Sequence, residues 1–265
     1  MGDGLVCDTY VSLPKGLEEG NKKKRDVPAI LFLMDAIGLR PRIEEMVDVI
    51  ASQGYYVIAP NLFYRTGKQP MVDNLQELLA QGQSGREQLF THLRPIMMSL
   101  KPESIMEDIG KWIGYIDRQT EHGVVPNAPI GVVGYCMGGT NAFRASAIYP
   151  DRIVAVASFH GGNLVTDQTN SPHLSASKVK AELYFGHADN DHSIGPQQIA
   201  TLEKTLTDAN IKYTSEVYQG AAHGYTMKDT VMYNEAGEKR HWVALTDLLT
   251  RVFKQPQQQQ QQSRS

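Results

Sequence analysis

The chain has 265 residues, of which 41% are hydrophobic and 21% charged, enough apolar material for one sizeable core in a single α/β domain. Its net charge of −3 argues against a nucleic-acid-binding protein, which would normally carry a basic domain. The N-terminus lacks the charged flank and long apolar core of a signal peptide, and no run is long enough to span a membrane. We therefore expect a cytoplasmic protein that binds neither nucleic acid nor membrane, and whose oligomeric state the sequence leaves open.

Strand and helix patterns alternate along most of the chain. Strands or extended segments are predicted at 6–13, 29–34, 55–59, 130–133, 153–159, 181–185 and 213–218. Helices are predicted at 42–53, 103–118, from 140 onward, 197–209 and 239–253, with Trp112 in the core. This alternation predicts an α/β fold with a mostly parallel central sheet and helices on both faces. We expect residues 1–254 to form that single domain.

Three stretches fall outside this pattern. Region 65–102 contains three glycines and three prolines, including Gly85 and Pro95, so we expect no long element there. It is a possible lid or substrate-lining excursion. The basic run at 22–25 is expected to be a solvated turn, and the glutamine-rich tail at 255–265 a disordered segment without a catalytic role.

The segment Gly134-Tyr135-Cys136-Met137-Gly138-Gly139 lies between a predicted strand and a predicted helix. A Gly-x-nucleophile-x-Gly turn holds its central residue in a strained conformation, with glycines where a Cβ would collide with neighbouring backbone. A helix N-terminus also favours a thiolate. Cys136 is therefore the candidate nucleophile; the alternative is a small buried side chain used only for packing.

Two later loops carry the residues that would assist a nucleophile. Asp189 and Asp191 follow the strand at 181–185, and His223 follows the strand at 213–218. The chain order nucleophile, acid, histidine is typical of α/β-hydrolases. A calcium loop starting at Asp189 is excluded, because Ile194 and Ala200 occupy the positions of its glycine and glutamate. No metal site is expected, and either aspartate could be the acid.

Together these segments resemble the dienelactone hydrolase family, whose members carry a Gly-Tyr-Cys-x-Gly-Gly turn in one α/β-hydrolase domain. The resemblance runs over 28–253 and includes 34–38, 54–65, 188–191 and 220–225. It implies hydrolysis of a small lactone or ester by a triad of Cys136, an aspartate and His223. The family's spacing from acid to histidine favours Asp191 over Asp189.

The expected mechanism uses a thioester acyl-enzyme and no cofactor, with a small ester or lactone as the only partner. The Cys136 thiolate attacks the carbonyl while the backbone N–H groups of Ala36 and Met137 hold the oxyanion. His223 protonates the leaving oxygen and then activates water, and Asp191 fixes its tautomer.

Two residues depart from the family pattern. Asp35 stands where the family carries a glutamate that partners the resting thiol, which makes Asp35 a candidate thiol-gating residue. Met227 stands where the family carries a carboxylate-binding arginine. Ile37, His160 and Tyr225 are further candidates for contact with substrate.

Other readings stay open on the sequence alone. The family's carboxylate-binding arginine has three possible replacements in this chain, Arg65, Arg86 and Arg94. Each of them could instead be an exposed, solvated arginine. A low-pKa cysteine could serve a redox sensor rather than a hydrolase. The same fold could also be a small-molecule binding module without turnover.

Overall fold

The computed structural model describes residues 4–15 and 26–254. The basic run at 22–25 and the tail at 255–265 lie outside the described residues, so the expectations about them stay predictions. Within the described part, the strands are β1 (Thr9–Ser12), β2 (Ala29–Leu33), β3 (Tyr56–Pro60), β4 (Ile130–Tyr135), β5 (Ile153–Phe159), β6 (Glu182–Asn190) and β7 (Tyr213–Ala222). The helices are α1 (Pro41–Ser52), α2 (Leu75–Ala80), α3 (Gln83–Ser99), α4 (Pro102–Ile116), α5 (Met137–Ile148), α6 (Pro196–Asp208) and α7 (Glu235–Leu249).

The described strands form one sheet in the order β1-β3-β2-β4-β5-β6-β7. Only β1 is antiparallel to its neighbour, and the other pairs are parallel. Every residue of β2, β3 and β4 is buried, as expected for parallel strands that helices cover. The predicted α/β-hydrolase fold, with a mostly parallel sheet, is confirmed.

The core lies between this sheet and the helices packed against it. Its centre holds a stack of aromatic rings in which Tyr135 lies 4.9 Å from Phe32 and 5.6 Å from Phe159 between ring centroids. Trp112 on α4 is buried in the same core, as its helical spacing predicts. Among the described residues, no helix combines the length and apolarity that a membrane span requires.

The region 65–102 is more regular than its composition predicts, because α3 runs for 17 residues through both Gly85 and Pro95. The expectation of no long element is therefore wrong. Leu89 and Leu93 of α3 are buried in a small apolar cluster that includes Ile37, and this packing offsets the hydrogen bond lost at Pro95. Gly85 permits a close approach, since a Cβ there would overlap the Leu78 carbonyl oxygen of α2.

Strands β6 and β7 both continue beyond their predicted ends, to Asn190 and Ala222. They stay paired through a register shift between Ala188 and Asn190, after which Asn190 lies opposite Ala222. The residues that follow, Asp191 and His223, consequently leave neighbouring strands side by side at the carboxyl edge of the sheet.

Candidate active site

Cys136 lies between β4 and α5, in the backbone conformation expected of a nucleophile turn. Its φ of 55° and ψ of −121° place it in a region that side-chain-bearing residues rarely occupy. A Cβ at Gly134 would overlap the Gly138 carbonyl, and one at Gly138 would overlap the Leu33 carbonyl of β2. The two glycines therefore allow the sharp turn that places the thiol at the N-terminus of α5.

Asp191, and not Asp189, is the carboxylate in contact with His223. The Asp191 Oδ2 atom lies 2.7 Å from His223 Nδ1, and the Asp191 side chain is fully buried. Asp191 Oδ1 accepts hydrogen bonds from the backbone N–H of Ser193 at 2.8 Å and its hydroxyl at 2.5 Å. Asp189 is exposed and accepts one hydrogen bond from the Gly220 N–H at 3.0 Å. Ser193 lies two residues beyond Asp191, and no motif in the sequence indicates its contact with the carboxylate.

The charges of this site favour a protonated His223. Burial lowers the pKa of His223, but the neighbouring Cys136 side chain and the Asp191 carboxylate outweigh burial and raise that pKa to about 10. Burial raises the pKa of Asp191, but the hydrogen bonds from His223 and Ser193 outweigh burial, so the pKa lies below its ordinary value. A charged imidazolium beside the sulfur is the arrangement that stabilises a cysteine thiolate.

His160 forms a hydrogen bond with the backbone of the nucleophile turn. It is fully buried with a φ of 40°, and its Nδ1 accepts a hydrogen bond from the Cys136 backbone N–H at 3.2 Å. Its Nε2 lies 2.8 Å from the Thr226 hydroxyl, so Nε2 carries the ring proton and donates it. Burial, with the nearby His223 and His241, holds the pKa of His160 well below its usual range. His160 is thus a neutral ring that also lines the pocket.

The two expected oxyanion donors are both available. Ala36 lies in the pocket wall beside Cys136, and Met137 is the first residue of α5. Within the described part of the chain, neither backbone N–H donates to a protein acceptor. A backbone N–H without a protein acceptor is able to donate to an oxyanion.

The pocket above Cys136 is small, with a volume of about 40 Å³, room for a few water molecules. Ile37 lies in its wall, as expected for a substrate-contacting residue, and α2 and α3 of the 65–102 region close one side. The apolar side chains of the wall are Ile37, Leu79, Leu89, Phe90, Met227, Val231 and Met232.

Of the three arginines considered as cations, the structure brings Arg86 to this pocket. Its guanidinium lies 4.9 Å above the Phe90 ring. Arg65 forms an ion pair with Asp108, and Arg94 is exposed on α3.

Asp35 lies in the pocket wall, but its carboxylate has a different partner from the one expected. Arg40 binds it through two hydrogen bonds, from Nη1 to Oδ1 at 2.8 Å and from Nη2 to Oδ2 at 3.0 Å. Backbone N–H groups of Ile37 and Gly38 also donate to Oδ1. Thiol gating by Asp35 stays a prediction, and the partners that the structure gives its carboxylate are Arg40 and these two backbone N–H groups. No motif or spacing in the sequence indicates Arg40 as a site residue.

Tyr225 also differs from its expected role. It is fully buried, does not line the pocket, and donates its hydroxyl to the Gly186 carbonyl at 3.1 Å. Its ring packs edge-on against His160 with 5.1 Å between centroids. Tyr225 therefore packs behind His160, and direct contact with substrate does not fit its position. Among residues 4–15 and 26–254, no three histidine, cysteine or acidic side chains converge as metal ligands would.

Comparisons of the sequence and of the structure with known proteins both point to dienelactone hydrolases. The model of the dienelactone hydrolase family matches residues 16–253. The carboxymethylenebutenolidase of Pseudomonas putida is 25% identical over 234 residues, which cover 88% of this chain and 89% of that protein. A candidate dienelactone hydrolase from Klebsiella pneumoniae has a crystal structure that superposes with a TM-score of 0.74 at 20% identity, covering 92% of each chain. A dienelactone hydrolase-like phosphotriesterase from metagenomic libraries superposes with a TM-score of 0.63 at 13% identity, covering 95% of each chain.

Proposed function

We propose that Cys136, His223 and Asp191 form the catalytic triad of this protein. The chain belongs to the dienelactone hydrolase family and is a hydrolase of ester or lactone bonds. One observation carries the proposal. Asp191 hydrogen-bonds to His223 Nδ1, and the His223 ring lines the same pocket as Cys136, which lies at a strained turn. A nucleophile, a base and a group that orients the base are the parts that covalent ester cleavage needs.

In the proposed first step, the Cys136 sulfur attacks the carbonyl carbon, which forms a C–S bond and a tetrahedral oxyanion. The N–H groups of Ala36 and Met137 stabilise that oxyanion. The C–O bond then breaks as His223 gives its proton to the leaving oxygen, which in a lactone stays attached to the acyl chain. The product of this step is a thioester on Cys136.

In the second step, a water molecule gives a proton to His223 and attacks the thioester carbonyl. The C–S bond breaks, the carboxylic acid leaves, and the Cys136 thiolate is restored beside a protonated His223. Asp191 stays ionised throughout and keeps Nδ1 of His223 protonated.

The pocket supports a small substrate with apolar substituents near the reacting carbonyl. Most side chains of its wall beyond the catalytic residues are apolar, Met227 among them, and the polar ones are Asp35, Arg86, His160 and Thr230. Apolar pockets with a few placed polar groups are typical of sites for small organic molecules.

The test is hydrolysis of p-nitrophenyl acetate by purified wild-type, Cys136→Ala and Cys136→Ser proteins. Loss of the sulfur should reduce turnover by at least about 10³-fold, since removing a triad nucleophile commonly costs several orders of magnitude. Cys7→Ala is the matched control, because Cys7 hydrogen-bonds to the Asn61 carbonyl and does not line the pocket. Activity of Cys136→Ala above about a tenth of wild type would contradict the assignment.

The same experiment separates the hydrolase from the other functions considered. An initial burst of nitrophenol, stoichiometric with enzyme, reports formation of an acyl-enzyme. A redox sensor or a binding module without turnover would release no nitrophenol through repeated cycles.

A further inference from the structure

Two loops of the site are joined by one buried arginine. We call residues 35–38, which carry the Ala36 N–H, the oxyanion loop, and residues 223–232 the histidine loop. Arg40 lies between them with its side chain only 1% exposed. A guanidinium has five N–H donors. Arg40 makes five hydrogen bonds: three to the Asp35 carboxylate and the Gly38 carbonyl, and two to Asp229.

On the oxyanion loop, these bonds fix the turn on either side of Ala36. The Asp35 Oδ1 atom accepts hydrogen bonds from the N–H groups of Ile37 at 3.1 Å and Gly38 at 3.3 Å. Arg40 Nη1 binds the same Oδ1 and also the Gly38 carbonyl, at 3.0 Å. The residues before and after Ala36 are therefore held by side-chain bonds, which sets the direction of the Ala36 N–H.

On the histidine loop, Arg40 Nε binds Asp229 Oδ2 at 2.6 Å and Nη2 lies 3.3 Å from Oδ1. Asp229 belongs to a turn in which the Thr230 N–H and hydroxyl both donate to the Met227 carbonyl, at 3.0 Å each. Met227 and Thr230 line the pocket on the side of His223. The same guanidinium thus fixes both loops relative to each other.

Arg40 remains charged whenever the protein is folded. Burial lowers its pKa, but Asp35 and Asp229 outweigh burial and raise the pKa above its usual value. A buried charge that loses one partner leaves the remaining groups uncompensated, so neither carboxylate can leave Arg40 at low cost. Asp35 is consequently held in place by Arg40.

We propose that Arg40 is a positioning residue for ester cleavage, which aligns the Ala36 N–H of the oxyanion loop with Cys136 and holds the histidine loop against it. This inference rests on the proposed function. It assigns Asp35 to the same positioning unit and not to control of the resting thiol.

The proposal is tested with two reactions of Cys136 that differ in one respect. Acylation by p-nitrophenyl acetate passes through an oxyanion, whereas alkylation by iodoacetamide displaces iodide without forming one. Arg40→Lys keeps the charge but loses the planar fork, so it should lower kcat for the ester by about 10- to 100-fold, the range seen for residues that orient a site. The KM and the alkylation rate should stay within about twofold of wild type, because Asp191 still binds His223 directly and keeps its ring at the pocket beside Cys136.

Two further variants make the result decisive. Asp229→Asn removes one charge from a residue that is 22% exposed, and it should show the same split with a smaller loss of kcat even if Arg40→Lys does not fold. Arg152→Lys is the matched control, since Arg152 also binds one aspartate, Asp117, through two hydrogen bonds, but away from the pocket. It should leave both reactions unchanged.

Other results would contradict the positioning role of Arg40. Equal losses of acylation and alkylation in both Arg40→Lys and Asp229→Asn would overturn the proposal, and so would unchanged kcat in both. An Asp35→Asn protein that is alkylated much faster than wild type would return Asp35 to the role of gating the thiol. Wild-type turnover that does not depend on Cys136 would instead refute the proposed function itself, and the Cys136→Ala protein reveals this separately.

Discussion

Replacement of Asp191 by asparagine is the sharpest single perturbation of the triad. In the wild type, Ser193 donates both its N–H and its hydroxyl to Oδ1, while Oδ2 faces His223 Nδ1. An asparagine keeps the Ser193 bonds only if its oxygen takes the Oδ1 position, which turns its NH2 group toward His223. Nδ1 must then accept a hydrogen bond, and the ring proton moves to Nε2, facing the sulfur.

The expected loss follows from that tautomer. A ring protonated on Nε2 cannot take a proton from the thiol or from water, and in hydrolase triads the wrong tautomer costs about 10⁴-fold in turnover. Cysteine is nucleophilic even as a weakly activated thiol, so we expect a loss between about 10²- and 10⁴-fold, or roughly 3 to 5 kcal/mol in the barrier. Asp189→Asn changes an exposed residue with one hydrogen bond, and surface changes of about 0.5 kcal/mol correspond to about a twofold effect.

The assay compares kcat of the two variants on p-nitrophenyl acetate, with the melting temperature of each protein measured in parallel. An Asp191→Asn protein that is folded and retains at least a third of wild-type turnover would refute the tautomer argument. A larger loss in Asp189→Asn than in Asp191→Asn would move the role to Asp189.

Three further predictions concern stability. The pKa of His223 is about 10 in the folded protein and 6.5 ordinarily. The contribution of His223 to the free energy of unfolding is therefore complete below pH about 6.5 and is lost as the pH rises through about 10. Urea titrations across that range should show this loss in the wild-type protein and a smaller loss in Asp191→Asn. Thr226→Val removes the hydrogen-bond partner of the buried His160 Nε2 and should lower the free energy of unfolding by about 1–3 kcal/mol. Thr226→Ser keeps the hydroxyl and should not, so equal stability of the two variants would contradict this hydrogen bond. Gly85→Ala places a Cβ against the Leu78 carbonyl, where α3 packs on α2, and should lower the free energy of unfolding by about 1–3 kcal/mol. In the control Gly114→Ala the Cβ meets no atom closer than 3.8 Å, so this variant should be as stable as wild type or more stable. A Gly85→Ala protein as stable as wild type would contradict the close approach of the two helices.

The parts of the site that the sequence could predict are those set by local backbone. Gly134 and Gly138 flank Cys136 because a Cβ at either position would overlap neighbouring backbone, and such a steric requirement leaves a readable spacing. The mostly parallel sheet likewise follows from the alternation of strands and helices.

The parts that could not be predicted depend on contacts between distant segments. Arg40 binds Asp229, which is 189 residues away, and no spacing rule connects an arginine after one strand to an aspartate after another. Region 65–102 was misjudged for a related reason. Gly85 and Pro95 normally break helices, but the buried contacts of Leu89 and Leu93 override that preference.

The most direct test of the central claim is the mass of the enzyme caught during turnover. Wild-type protein mixed with excess p-nitrophenyl acetate and quenched in acid within the burst should carry one acetyl group, and peptide analysis should locate that group on Cys136. The Cys136→Ala protein should carry none, and Cys7 should remain unmodified in both. Continued turnover with no acyl group on Cys136, or with the group on another residue, would contradict a thioester mechanism at this site.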